Sequence, residues 1–157
     1  MGKKRTINPI TQRRLDNFKA NRRGYYSLWL FSFLFIFTLF AEVISNDKPL
    51  VVYFDGDFYA PILNTYTETE FGGDFETEAD YRDEYIADII NAKGWMIWPL
   101  IRYSYDTINY NLPVPAPAPP SEENWLGSDD QARDVVARLI YGFRISVLFG
   151  LSLTIFS

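Results

Sequence analysis

The chain has 157 residues, a length usual for one domain, and neither cysteine nor histidine. That excludes disulfides, thiol nucleophiles and the commonest general base and transition-metal ligand. Net charge is −5 but is unevenly spread: residues 1–24 carry eight bases and one acid, whereas residues 46–134 carry 18 acids and five bases.

Residues 1–24 read as a basic cytoplasmic tail. Asn8-Pro9 is a helix-start signal, with Asn as cap and Pro in the first turn. Ile10, Leu15 and Phe18 could then share one side, giving a short amphipathic helix on an anionic membrane surface. A disordered basic tail is the plainer alternative. Nucleic acid is the less apt anion, because an apolar stretch follows immediately.

That stretch, Tyr25 to Ser45, has one charge, Glu42, and eight aromatic residues. Twenty-one residues in a helix reach about 31 Å, the thickness of a bilayer core. Tyr25, Tyr26 and Trp29 crowd its leading end, as rings do at headgroup level. We therefore expect an uncleaved N-terminal transmembrane helix over 25–45; the apolar run is too long for a signal peptide. The excess of Lys and Arg before it predicts a cytoplasmic N-terminus and an external segment after it.

Residues 46–124 read as a small α+β external segment. Asp55-Gly56 between Leu50–Phe54 and Asp57–Ala60 is a strong hairpin signal. Residues 64–76 read as a loop. Thr77 followed by Asp80 predicts a helix over 78–92, stopped at Lys93-Gly94. Val51, Tyr53, Tyr81, Tyr85, Ile86 and Ile89 are its expected contacts with the hairpin. Residues 95–103 are apolar and extended in character. Residues 113–120, with five prolines in eight, predict a polyproline II segment, read as a semi-rigid spacer rather than a docking motif.

Residues 125–157 form the second membrane-directed stretch. Ser128 and Gln131 have capping-box spacing. Val135, Val136, Leu139, Ile140 and Phe143 follow at helical spacing, with Arg144 placed to snorkel. The run is expected to be an amphipathic helix leading into the start of a second, truncated transmembrane helix, in the N-terminal piece of a longer protein. The expected fold class is thus an α-helical membrane protein.

The search for chemistry returns nothing. Asp74, Glu76, Glu78 and Asp80 alternate like a calcium loop, but the sixth and twelfth positions hold Ala79 and Tyr85 instead of Gly and Glu. Asp55 and Asp57 flank a turn glycine and read as turn formers. No catalytic, cofactor-binding or metal-ligating residue is expected, and the chain is read as non-enzymatic.

Residues 125–151, from Trp125-Leu126-Gly127-Ser128-Asp129 through Arg133-Asp134 to Gly142-Phe143-Arg144-Ile145-Ser146, resemble the C-type permease subunit of bacterial dipeptide and oligopeptide ABC importers. That family shows Leu-Gly-Thr-Asp, Gly-Arg-Asp and Gly-Arg-Ile-Ser in this order. Residues 71–81 and 102–110, with the proline spacer, resemble the enlarged periplasmic segment of the microcin C type of permease. The resemblance implies ATP-driven peptide import across the inner membrane. It also implies a second permease subunit, ATP-binding subunits and a periplasmic peptide-binding protein as partners, with residues 46–134 periplasmic. Ala132 departs from the family's usual Gly, which would matter if that glycine served close helix approach. The alternative reading is a single-pass anchor presenting a small acidic domain.

Overall fold

The structure, a computed structural model, describes residues 8–157. It divides into two compact units, one up to Phe37 and one over Thr38–Ser157.

The first unit is helical. α1, Pro9–Ala20, starts as expected: the Asn8 side chain accepts from the Ile10 N–H at 3.1 Å and Pro9 opens the first turn. Asn21 then serves two helices. Its N–H bonds the Asn17 and Phe18 carbonyls to close α1, and its side chain accepts from the Gly24 N–H to open α2, Arg22–Leu39. Along α2, Tyr25 meets Trp29 edge-on and Phe33 stacks on Phe37.

The expected continuous helix over 25–45 is not what forms. α2 stops at Leu39, Phe40 makes a turn, and a single helical turn, α3, covers Ala41–Ile44. Thr38, Ala41 and Ser45 are buried around this break. Among the described residues the helix long and apolar enough to cross a membrane is α5, Val135–Phe156, the one expected to be incomplete. Its 22 residues reach about 33 Å.

In the second unit β1 (Val51–Phe54) turns through Asp55-Gly56 into β2 (Asp57–Tyr59). Both turn residues have positive φ, 50° and 100°, the geometry that matches strand twist in a two-residue hairpin. β3 (Gly94–Ile97) pairs antiparallel with the other edge of β1, giving the order β2-β1-β3. α4 (Glu84–Lys93) covers one face. The core is Val52, Phe54, Phe71, Ala79, Tyr81, Ile86 and Ile90. Phe71 is its hub, with ring centroids 5.0 Å from Tyr59 and 5.6 Å from both Phe54 and Tyr81.

Several expectations are corrected. The hairpin's core face is Val52 and Phe54, not Val51 and Tyr53. Tyr53 lies on the opposite face with Phe58 and Trp95. Tyr85 is half exposed, its hydroxyl 3.2 Å from the Asp74 carboxylate, and Ile89 is only partly buried. α4 starts at Glu84, capped by Asp83, instead of at residue 78. The intended cap is committed elsewhere: the Glu68 N–H donates to the Thr77 carbonyl and the Ala79 N–H to the Tyr66 carbonyl. The supposed loop at 64–76 contains a 3-10 turn, Glu68–Phe71, opened by a Thr67–Glu70 capping box. The proline stretch bends through residues 113–117 instead of running straight.

Candidate functional site

In the second unit a polar junction ties the base of α5 to the residues before it. The helix does not start at the Ser128–Gln131 box. Ser128 Oγ accepts from the Ala118 N–H at 2.9 Å, and the Ser128 N–H donates to the Ala118 carbonyl at 3.0 Å, so this serine grips the end of the proline stretch. Between them Gly127 passes with φ +78°, where a side chain's first carbon would lie 2.4 Å from the Ala118 carbonyl oxygen. Only glycine meets both demands.

Asp134 caps α5 instead. One carboxylate oxygen accepts from the Ala137 N–H at 2.7 Å and the other from Asn124 Nδ2 at 2.9 Å. Asn109 Nδ2 donates both to Asn124 Oδ1 (3.1 Å) and to the Tyr103 hydroxyl (2.9 Å). Asn109, Asn124 and Asp134 are all buried. Buried polar groups are tolerated only when paired, and each of these is. Burial pushes the Tyr103 hydroxyl pKa up; Arg82 opposes and Glu123 reinforces that rise.

Asp129 clamps the preceding turn. It accepts from the backbone N–H groups of Gln131 and Arg133 and from Arg133 Nε, each at 2.9 Å, and pairs with Arg138. Burial pushes its carboxyl up. The bonds from Arg133, Gln131 and Arg138 together outweigh that and hold the pKa at about 2, below its ordinary 3.8. Inside this turn Ala132 has φ +60°. A glycine at this position would adopt that left-handed backbone without strain.

Further along α5 the buried residues are Ala137 and Tyr141, with Val136 and Ile140 packed on Ile101 and Tyr103. Leu139, expected on the packed face, is exposed. The Tyr141 hydroxyl donates to the Ser45 carbonyl at 2.8 Å, and Ser45 Oγ donates to the Tyr103 carbonyl at 2.6 Å. Arg144, expected only to reach outward along the helix, has a side-chain partner: its Nη1 lies 2.8 Å from the Glu42 carboxylate. The order of these pairs, 42 with 144 and 45 with 141, sets α3 antiparallel to α5. Arg144 lies about 14 Å along α5 from Val135. Its partner, Glu42, is the one charged residue of the first apolar stretch. Gly142 and Gly150, eight apart, have open space beside them.

Among the described residues no group of three or more Asp or Glu is placed to hold a metal ion. Acidic residues singled out by their spacing are dispersed: Glu78 pairs with Lys48, and Asp74 bonds Tyr85. Of the residues that organise the junction, Asn109 and Asp134 fall in the stretches that carry the family resemblance, but no spacing singled out Asn109, Asn124 and Asp134 as a cluster. Asp134 before an apolar helical run was a legible cap signal; the two asparagines were not legible.

The described residues thus combine an apolar helix of membrane-spanning length with a small α+β segment locked to its base. The comparisons place the chain further. It is 50% identical to the peptidoglycan transport system permease protein YejE of Agrobacterium fabrum, over 96% of this chain and 46% of that protein. It is 48% identical to the inner membrane ABC transporter permease protein YejE of Escherichia coli, over 96% of this chain and 44% of that protein. A shorter match, 41% identical over 32% of this chain and 16% of the other, is to the oligopeptide transport system permease protein OppC of Bacillus subtilis. The chain belongs to this family of ABC transporter permease proteins. It spans somewhat under half the length of the two YejE relatives. No family profile and no solved structure matches it.

Proposed function

We propose that the chain is part of the translocation unit of an ATP-driven peptide importer of the oligopeptide and microcin C type, and does no chemistry itself. The carrying observation is near-50% identity over almost the whole chain to two permeases. The apolar α5, anchored through Asp134 and Arg144, fits that role. In this reading the basic tail is cytoplasmic, α2 and α3 bring the chain through the inner membrane, residues 46–134 are periplasmic, and α5 re-enters the bilayer. The partners are a second permease subunit, ATP-binding subunits and a periplasmic peptide-binding protein.

The test is a chimera. In a strain lacking the Escherichia coli relative, that permease is supplied with its matching segment replaced by these 157 residues. Sensitivity to an imported peptide antibiotic should return. A chimera that reaches the membrane at normal level, assembles with its ATP-binding subunits and still confers no uptake would overturn the reading.

A further inference from the structure

A cavity of about 510 Å³ opens beside the junction, within the second unit. That is in the range of small-molecule sites, ~300–1,000 Å³. Its walls carry opposite charges that do not neutralise each other. Arg82 lies over the Tyr103 ring, its guanidinium carbon 4.5 Å from the centroid, and Arg102 lies over Trp98 at 5.2 Å. Among the described residues neither guanidinium has a carboxylate partner; the described ion pairs involve Lys48, Arg133, Arg138 and Arg144. A cation–π contact uses no N–H donor in a hydrogen bond to a carboxylate, so a guanidinium held over a ring can still receive a planar anion. The acids Glu122 and Glu123 also line the space, and Trp125 supplies an apolar wall. Glu123 accepts from the Tyr103 hydroxyl at 3.4 Å. Arg82 and Glu123 thus meet at one ring without pairing.

This arrangement selects by charge. A ligand with a single carboxylate gains two guanidiniums. A polyanion such as phosphate meets Glu122, Glu123 and the buried Asp134, which also lines the cavity. A ligand bearing a separate ammonium group offsets those acids. We infer that the cavity binds a short zwitterion, an amino acid or a peptide of two or three residues. Its carboxylate is held by Arg82 and Arg102, and its ammonium faces Glu122 and Glu123. This places a recognition site outside the bilayer, on the segment that leads into α5, and it does not require that the chain transport what it binds.

Trp98 and Trp125 line the cavity, so occupancy should be visible in tryptophan emission from the full 157-residue chain in lipid nanodiscs. Trialanine should give a saturable change. Its C-terminal amide should bind roughly tenfold or more weakly, as expected for loss of a charge-assisted hydrogen bond. Arg102→Gln should weaken free trialanine by a similar factor. Arg102 is exposed, so the far-UV circular dichroism of that variant should match the parent. Lys48→Gln, outside this cavity, should change nothing. No saturable response to trialanine, equal binding of acid and amide, or inorganic phosphate binding as tightly as trialanine would each overturn the inference. None of these results depends on uptake by the chimera, so the two readings fail separately.

Discussion

Ala132 occupies a backbone conformation that an L-residue adopts at a cost. Left-handed geometry costs a non-glycine residue ~1–2 kcal/mol, while replacing Ala by Gly loosens the unfolded chain by ~0.4–1 kcal/mol. Ala132→Gly should therefore be neutral to stabilising by up to about 1.6 kcal/mol. Thermal or denaturant unfolding in detergent checks this, and a loss beyond ~1 kcal/mol would mean that the alanine methyl group makes a compensating contact. Three positions away, Asp129 makes stability depend on acid pH. Its folded pKa, about 2, lies below the ordinary 3.8. The stabilisation is thus fully present above about pH 4 and is lost as pH falls through that window toward 2. Between these limits the unfolding midpoint of the parent chain should fall more steeply than that of Asp129→Asn. Parallel slopes would show that the clamp is not formed.

At the scale of elements, the three-stranded sheet and α4 are each too small to persist alone and share one core. The expected anchor of α4 moves from Ile89 to its neighbour: Ile90 is fully buried and Ile89 only partly. Ile90→Ala should cost ~2–5 kcal/mol and Ile89→Ala distinctly less. Denaturant titration of both variants checks the order, and a reversal would place the helix in a different rotation. The reason for the difference is geometric. Apolar periodicity marks a stripe about four residues wide, but only contact with Phe71 and the hairpin decides which residue lies at its centre. The same applies to the hairpin, where Val51, Val52, Tyr53 and Phe54 are all apolar or aromatic. Alternation by polarity was absent, so either face could have been the inner one.

At the scale of the molecule, the basic N-terminal region and the acidic segment after it lead to an orientation that labelling can read. The natural chain has no cysteine. Cysteine placed at Leu63, which is 79% exposed, should react in intact cells with a membrane-impermeant thiol reagent. One placed at Thr11 should react only after the membrane is opened. The opposite pattern would invert the topology. Ser45, at the end of the first apolar stretch, would be a poor probe because it is buried and hydrogen-bonded to Tyr103 and Tyr141.

Local chemistry was enough to determine the Asn8-Pro9 helix start, the Asp55-Gly56 hairpin, the end of α4 at Lys93 and the apolar character of the last helix. Each depends on a few neighbouring residues: a cap, a turn or an uninterrupted run. The family resemblance, too, lay in contiguous residues. Tertiary structure alone decided where α4 and α5 begin, because Thr77 and Ser128 found partners outside their own helices and Asp83 and Asp134 took the caps. It decided that Glu42 and Arg144, 102 residues apart, form one pair. It also brought Arg82, Arg102 and Glu123 to one cavity from separate segments. A charge in sequence shows only that a partner or water is needed; which one it meets is fixed when the chain closes on itself.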